Sequence, residues 1–418
     1  MRIDKYAIGV EAEKLRSPFG FKGSYADGLW QTIVGLESDG LRSCGIAVQS
    51  VLWSDASVFE SYGQDGGNEL MHKLTKFALG RLEGGDFADP FEANDYLFEK
   101  CNEEIKRITG RGDIRKTFVL NSLVPVDMAF WLLWAKSKGI SDYGVMTGEY
   151  SRYLSERHGK IAAIPLITYG VGPDEIKKLL EEGYFFLKIK IGKEPGWDKE
   201  RVREIWEMAK EFPTEHTKSG MPVLYLDANG RYTDIGELKS LLEFLDSLGI
   251  LGHVGIFEEP FDETAQIDVG GLPCVFAIDE SAHSAADSIE KFQMGYKAVA
   301  LKPVAKTLSE SLRILEAAAK MGVGCFTADL TVAPWQLEWN RNFAARIPVL
   351  DCVRTGLLES NGNMNYTDWD RLKGYHPMGG GSWVDARNGL FDLSDFYEYD
   401  GGLFEQPGHY MDVIKFRG

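Results

Sequence analysis

Charged residues end several short apolar segments in the middle of this chain, and their types and order predict one catalytic centre. Each segment is apolar enough to be a buried strand, where an unpaired charge costs on the order of several kcal/mol. Three lysines and three carboxylates share this position: Lys188, Lys190, Lys302, Asp227, Glu258 and Asp279. If the strands lie side by side, these charges converge. The chemistry they predict is that of a divalent cation flanked by two amine bases.

The three carboxylates predict a metal site. Asp227, Glu258 and Asp279 are separated by about one strand–helix unit each, and neighbouring strands lie about 4.8 Å apart. Oxygen ligands with no His or Cys nearby favour Mg²⁺, with Mn²⁺ as the alternative. Strand alternation is expected to turn Glu259 and Glu280 away from this site. Taken one at a time, each of the three carboxylates could equally be a salt-bridged strand end.

The lysines predict acid–base chemistry. Lys188 and Lys190 are two residues apart on one strand, so their side chains share a face. Two ammonium groups about 6 Å apart repel by roughly 3 kcal/mol at an effective dielectric constant of about 20, which moves one of them toward neutrality. We expect Lys190 to be the base and Lys188 to hold its pKa down. The alternative is that both lysines flank an exposed strand edge.

Lys302 comes four strands after Lys190, which is the opposite side of an eight-stranded ring. Alone, such a lysine is more often structural. Paired with Lys190 across a metal-bound carboxylate, it suits removal of the α proton on one face and its return on the other. Asn229 follows the third strand and is expected to donate a supporting hydrogen bond.

The strands that would position these residues are predicted by an alternating pattern. From residue 160 onward, short apolar runs alternate with helical segments, which is typical of a parallel sheet covered on both faces. Seven strands, the first at residues 164–169, and an eighth within residues 350–360 predict an α/β fold with a (β/α)₈-type barrel. In such a barrel all strands end at one face, where the chemistry lies. A weak helix is expected after the fourth strand.

The N-terminal region predicts a separate α+β domain over residues 1–130, followed by the barrel over residues 131–365. Antiparallel strands are expected at residues 40–53 and around 57–62, and helices at 69–81, 90–109 and 127–138. The tail, about residues 366–418, is rich in glycine, aspartate and aromatic residues. We expect it to pack back on the first domain.

Composition excludes several classes of protein. Hydrophobic residues make up 44% and aromatic residues 12% of the chain, enough for a large core. The net charge of −17 argues against nucleic acid or an anionic membrane as partners. Five scattered cysteines without a C-x-x-C pair favour reduced thiols. With no signal-peptide run and no 18-residue apolar stretch, we expect a cytoplasmic protein.

In this order the motifs resemble the enolase superfamily, and within it the muconate-lactonizing-enzyme-like subgroup. They are K-I-K ending at Lys190, D-A-N from Asp227, E-E-P from Glu258, D-E-S from Asp279, and the lysine of the sixth strand. The resemblance implies an enolase-like modified TIM barrel with an N-terminal capping domain. It also implies that the three carboxylates hold Mg²⁺, that the opposed lysines are acid and base with Lys188 assisting, and that the protein is a homo-oligomer.

Specificity in that family comes from the cap loops and the last strands. The cap residues implicated are Phe19, Phe21, Lys22 and Trp53. Asp329 on the seventh strand and Glu359 near the eighth are further candidates for substrate contact, although Asp329 could equally cap the next helix. No histidine lies between His283 and His376, so the mandelate-racemase branch is not supported. The eighth strand also lacks the D-x-D of dipeptide epimerases.

These observations predict an enzyme that removes the proton α to the carboxylate of a small-molecule substrate. Racemisation, epimerisation and cycloisomerisation are the favoured outcomes. Elimination from a hydroxy acid by a lyase or dehydratase is the alternative, since it shares the enolate. A non-catalytic carboxylate-binding barrel would lack a ligand or a lysine, and none is missing. A phosphate-binding barrel would need a Gly-rich loop after the last strands, where only Gly362 lies.

Overall fold

The computed structural model, which describes residues 1–21, 24–414 and 416, begins with a three-stranded antiparallel sheet. Its strands are β1 (Lys5–Phe21), β2 (Ser24–Ser38) and β3 (Leu41–Gln49). Only Asp39 and Gly40 separate β2 from β3, and both have positive φ. An Asp-Gly pair is well suited to this turn, because its twist matches that of the flanking strands.

Helices cover one face of this sheet. They are α1 (Val51–Ser54), α2 (Ala56–Leu82), α3 (Pro90–Thr109) and α4 (Lys116–Ser137). The strand predicted around residues 57–62 is therefore wrong, since this segment opens α2. Asp55 decides the outcome: its side chain accepts hydrogen bonds from the backbone N–H of Ser57 (3.0 Å) and Val58 (3.1 Å) and caps the helix. The three predicted helical segments correspond to α2, α3 and α4, although the third extends one residue past the end of α4 at Ser137.

Helix α4 packs directly against the sheet. A Cβ on Gly45 of β3 would lie only 2.1 Å from the carbonyl oxygen of Pro125 in α4, so the close approach requires glycine. Contrary to the sequence expectation, α4 is long and apolar enough to cross a membrane. However, 94% of its most apolar 18-residue stretch is buried inside the protein, as in the core helix of a globular protein.

Parallel strands after residue 160 form a curled sheet in chain order. They are β4 (Lys160–Ile164), β5 (Leu166–Ile167), β6 (Phe186–Lys190), β7 (Val223–Asp227), β8 (Val254–Glu258), β9 (Phe276–Ile278), β10 (Ala298–Leu301), β11 (Gly324–Thr327) and β12 (Gly356–Glu359). The predicted eighth strand is confirmed as β12. The first begins four residues earlier than predicted.

Pro165 divides the first barrel strand and closes the ring. Before it, β4 pairs with β12; after it, β5 pairs with β6. Proline has no N–H to donate to a ladder, so the chain changes neighbours at this residue. The sheet order from β4 through β12 back to β5 is thus a barrel, as predicted. Asp392 ends a short antiparallel strand, β13 (Leu390–Asp392), beside β4.

Helices surround the barrel, some before its first strand and the others between its strands. In chain order they are α5 (Tyr143–Met146), α6 (Pro173–Glu181), α7 (Pro195–Ala209), α8 (Ile235–Ser247), α9 (Ala285–Gln293), α10 (Pro303–Lys306), α11 (Leu308–Met321) and α12 (Pro334–Ala344), with 3-10 helices at Gly148–Tyr153 and Leu251–His253. The weak helix predicted after the fourth strand is wrong, because described residues 259–275 contain no helix.

The tail contacts both the N-terminal sheet and the barrel. Its helices are α13 (Gly362–Asn365), α14 (Trp369–Gly374), α15 (Phe396–Tyr399) and α16 (Gly408–Val413), with a 3-10 helix at Asp400–Gly402. His409 Nε2 lies 2.9 Å from Glu11 of β1. On the other side, the hydroxyl of Tyr397 donates to the carbonyl oxygens of His158 and Ala345.

Candidate active site

The carboxyl ends of the barrel strands bring the predicted charged residues together. Asp227, Glu258 and Glu359 are the last residues of β7, β8 and β12. Asp279 and Lys302 each follow the last residue of their strands, β9 and β10. All are at most 3% exposed. The buried charges at the strand ends therefore form one site, and each must be balanced locally.

Lys188 occupies the centre of the carboxylates. Its Nζ lies 3.0 Å from Asp227 Oδ2, 3.0 Å from Glu258 Oε1 and 3.1 Å from Glu359 Oε2. Burial would lower the pKa of Lys188, but these carboxylates outweigh burial and raise it well above its ordinary value. The nearby negative charges therefore dominate at Lys188, and the role of Lys190 as the base stays a prediction.

Lys190 lies nearer to the open end of the barrel. Its Nζ donates to Asp227 Oδ2 and to Asn229 Oδ1, both at 2.7 Å. Asp227 Oδ2 thus contacts both lysines of β6. Burial alone would raise the pKa of Asp227, but Lys188 and Lys190 lower it, so the carboxylate stays ionised. Asn229 accepts from Lys190 through Oδ1 and also donates through Nδ2 to Glu280 Oε1 (2.9 Å), so the expected donor is present.

A second pair of lysines lies across the site. Lys302 Nζ is 2.5 Å from Asp279 Oδ2, and Lys306 Nζ is 3.1 Å from Asp279 Oδ1. Lys306 also donates to the carbonyl oxygen of Asp279. Sequence reasoning missed Lys306, although its position one helical turn after Lys302 was a usable signal. The ring of Trp53 lies 4.5 Å from Lys302 Nζ, so the N-terminal domain reaches the site.

One carboxylate predicted to point away joins the cluster. Oxygens of Glu258, Asp279 and Glu280 lie within 4.8 Å of one another. Glu280 is 2% exposed, and its Oε2 has no hydrogen-bond partner among the described residues. Its Oε1 accepts from Asn229 Nδ2 at 2.9 Å. The alternation rule fails because β9 ends at Ile278, before Glu280.

The donor set fits a divalent cation. Carboxylates outnumber lysines here, and every donor is a hard oxygen, the ligand type that Mg²⁺ and Mn²⁺ prefer. Burial and the neighbouring Asp227 charge raise the pKa of Glu258 well above its ordinary value. A bound cation would relieve that repulsion and would satisfy the unpaired Glu280 oxygen. By contrast, Glu259 does point away, since its Oε2 accepts from the Asp279 N–H at 2.7 Å.

Residues at the ends of the seventh and eighth barrel strands complete the lining of the site. Glu359 Oε2 accepts from Lys188 and from the N–H of Asp329 (3.2 Å). Asp329 Oδ2 accepts from the N–H of Asn361 at 2.8 Å, and its Oδ1 from that of Val332 at 3.3 Å. Burial raises the pKa of Asp329 to about 7. Asp329 thus both caps the following turn and lines the site.

The site encloses a chamber of about 50 Å³. Leu29, Ser50 and Trp53 of the N-terminal domain line it together with the barrel residues described above. Of the other cap residues predicted to touch substrate, Phe19 and Phe21 are described as backbone only, and Lys22 lies outside the described residues. The chamber has room for a cation and a small anionic group, and little more.

The family model described as "Enolase C-terminal domain-like" matches residues 173–376. No curated protein sequence matches the chain significantly.

Solved structures share the fold at low sequence identity. A mandelate racemase/muconate lactonizing protein from Herpetosiphon aurantiacus is 16% identical, with a TM-score of 0.66 over 100% of this chain and 99% of that chain. The muconate lactonizing enzyme from Pseudomonas fluorescens, complexed with muconolactone, is 15% identical, with a TM-score of 0.65 and 94% of each chain covered. The L-Ala-D/L-Glu epimerase from Bacillus subtilis is 18% identical, with a TM-score of 0.63 over 88% of this chain and 92% of that one.

Proposed function

Because residues 173–376 match the family model described as "Enolase C-terminal domain-like", we propose that this chain is a metal-dependent isomerase of the enolase superfamily that removes and returns the proton α to a substrate carboxylate. One observation carries the proposal: two lysine pairs approach the same carboxylate cluster from opposite sides. Lys190 ends β6 and Lys302 follows β10, with β7, β8 and β9 between them. A substrate held between them has an amine on each face.

Asp227, Glu258 and Asp279 would hold the cation, with the free oxygen of Glu280 as a further donor. Mg²⁺ fits this set, and Mn²⁺ fits it as well. When bound, the cation supplies Lewis-acid stabilisation of the negative charge that develops on the substrate carboxylate during enolisation. Resolved complexes of dipeptide epimerases with this fold contain Mg, which agrees with the assignment.

The lysines of the site have separate roles. Lys190 and Lys302 transfer the α proton, one on each face of the substrate. Lys188 stays protonated, because its carboxylate neighbours raise its pKa; it therefore fixes Asp227, Glu258 and Glu359 and contributes positive charge. Trp53 packs over Lys302 and, with Leu29, keeps water from the reacting face.

Opposed lysines favour racemisation, epimerisation or cycloisomerisation over elimination. An eliminating enzyme also needs an acid aimed at the leaving group. Asp329 has the raised pKa of such an acid, but both of its oxygens already accept backbone N–H groups. A cytoplasmic location and homo-oligomeric assembly stay predictions.

The proposal is tested by α-proton exchange in D₂O with Mg²⁺. A library of racemic hydroxy acids, N-acylated amino acids and dipeptides is incubated with the wild-type protein, and products are analysed by NMR and mass spectrometry. We expect α-deuterated product from at least one acid. Lys190→Ala and Lys302→Ala should each stop turnover, because either face then lacks its base, while Mn²⁺ binding measured by EPR persists.

Lys239→Ala, at an exposed position of α8, is the matched control and should behave as wild type. A single-lysine variant that still exchanges one enantiomer would agree with a two-base mechanism, since one face keeps its lysine. Full turnover in both lysine variants, or no exchange with any acid, would contradict the proposal.

A further inference from the structure

A second and larger cavity opens beside the catalytic chamber. It measures about 950 Å³, and Leu166 lines both spaces. We call it the outer groove. The hairpin of the N-terminal sheet contributes Arg16 and Tyr25 to it, and the barrel contributes Tyr169 and Arg231. Because the chamber holds only about 50 Å³, most of any substrate larger than a few atoms must lie in this groove.

The groove residues belong to the loops that carry the catalytic residues. Arg231 follows Asn229 by two positions, and Lys193 follows Lys190 by three. The hydroxyl of Tyr169 donates to the carbonyl oxygen of Ile191 at 2.7 Å, which ties the ends of β5 and β6 together. A group bound here is therefore placed relative to the catalytic lysines by short, tethered segments.

Two cations in the groove, Lys193 and Arg231, lack carboxylate partners among the described residues, whereas its acidic side chains have local partners. Lys193 and Arg231 form no ion pair within the described part of the chain. Each instead lies over an aromatic ring: Lys193 Nζ is 5.0 Å from the Trp197 centroid, and the Arg231 guanidinium carbon is 5.3 Å from that of Tyr169. The two rings contact each other edge to face, with centroids 5.5 Å apart.

The acidic side chains that line the groove have local partners. Glu175 accepts from the Gly172 N–H at 3.1 Å and closes the first turn of α6. Glu182 pairs with Lys178 at 3.7 Å. On a chain with a net charge of −17, two unpaired cations beside an active site are an anion-binding arrangement. Tyr25, which is 68% exposed, adds an aromatic surface on the opposite wall.

We propose that the outer groove binds a second carboxylate of the substrate through Arg231 and Lys193. The substrate class is then a dicarboxylic acid: one carboxylate lies at the metal site, and the other lies beyond the reacting carbon. The carbon chain between them packs against Tyr169 and Tyr25. This inference rests on the proposed function for the position of the first carboxylate.

Binding measurements without turnover test the inference. The probes are the linear dicarboxylates glutarate, adipate and suberate, each compared with its monoamide, titrated calorimetrically into Mg²⁺-loaded protein. The amide keeps the shape but removes one charge. In the wild type at least one diacid should bind about tenfold or more tightly than its monoamide, as expected for charge-assisted hydrogen bonds.

Arg231→Gln and Lys193→Gln should each reduce that preference severalfold. Lys177→Gln is the matched control, because Lys177 pairs with Glu181 on α6 and does not line the groove; it should keep the preference. Lys193 is exposed, so its variant reports on binding even if Arg231→Gln alters folding.

Equal binding of diacids and monoamides by the wild type would overturn the inference, as would an unchanged preference in both groove variants. Failure of the proposed function is recognised separately. In that case the diacid preference would persist in Mg²⁺-loaded protein, but no acid would exchange its α proton in D₂O. Conversely, exchange of monocarboxylates with no preference for diacids would leave the proposed function standing and remove only the dicarboxylate assignment.

Discussion

At the scale of single residues, two buried carboxylates of the site each pair with two lysines. Asp227 Oδ2 contacts both Lys188 and Lys190, and Asp279 contacts both Lys302 and Lys306. Each shared carboxylate keeps two buried ammonium groups in place, and the ammonium groups keep it ionised. Replacing one member therefore leaves a charge without its partner, which costs more than the contact itself contributes.

Glu280 provides a test of the metal site. Glu280→Gln removes a charge from the cluster and should weaken Mn²⁺ or Mg²⁺ binding by about 10-fold or more. The measurement is calorimetric titration of the metal, or EPR of Mn²⁺, with no substrate present. Glu290→Gln changes the same chemistry at an exposed position of α9 and should leave affinity unchanged. An unaltered metal affinity in Glu280→Gln would show that its free oxygen does not face the cation.

At the scale of elements, the sequence predicted the barrel well because its strands are buried on both faces. Continuous apolar runs that end in charge mark β6, β7, β8 and β10 without ambiguity. The first hairpin was missed, since β1 carries charged residues such as Glu11 and Glu13 whose partners, His409 and Arg371, come from the tail. Such long-range pairing leaves no local pattern to recognise.

In the site, too, local sequence motifs could be recognised, whereas features that depend on tertiary contacts could not. The motifs predicted which carboxylates and lysines end the strands. Glu280 was misplaced because alternation holds only within a strand, and the prediction required knowing that β9 ends at Ile278. The behaviour of Lys188 could not be predicted either, because it depends on Glu359, which is distant in sequence and lies only 3.1 Å away.

Gly45 tests the packing of helix α4 on the sheet. Gly45→Ala places a methyl group against the Pro125 carbonyl oxygen and the Ala129 nitrogen, and neither backbone atom can move without shifting α4. We expect a loss of about 1–3 kcal/mol or more in the free energy of unfolding, measured by urea denaturation. Gly80→Ala, in an open part of α2, should be neutral or stabilise by up to about 1 kcal/mol. Equal stability of both variants would refute the packing argument.

At the scale of the whole molecule, polar contacts hold the N-terminal domain on the barrel. Arg115, before α4, makes two hydrogen bonds to Glu263 in the loop after β8, and His283 contacts the same carboxylate at 2.7 Å. Further along α4, Asp127 accepts from the Ser309 hydroxyl at 2.5 Å. The division into a cap at residues 1–130 and a barrel at 131–365 stays a prediction.

Glu263 makes this attachment sensitive to acid. Burial raises its pKa, but His283 and Arg115 outweigh burial and lower it from 4.5 to about 2. A depressed carboxyl pKa adds stability that is complete above pH 4.5 and is lost as the pH falls toward 2. Glu263→Gln should therefore cost about 1–3 kcal/mol in the free energy of unfolding at pH 6.

The difference in the free energy of unfolding between Glu263→Gln and wild type should shrink steadily between pH 4.5 and 2. Urea unfolding at a series of pH values measures it. Glu243→Gln, at an exposed position of α8, should show no such dependence. A Glu263→Gln deficit of constant size across this range would mean that the carboxylate charge does not hold the two parts together.

The tail covers one face of the N-terminal sheet, which is synthesised long before it. Val413 lies against Gly9, and Ile414 and Phe416 lie against Gly35, so residues of the tail cover strands that are made long before them. At about 5–20 residues per second, the sheet emerges from the ribosome roughly 20–80 s before its cover does. During that interval its outer face is open to water and to other nascent chains. The sheet is therefore covered only after the tail has been made, however well the barrel has folded by then.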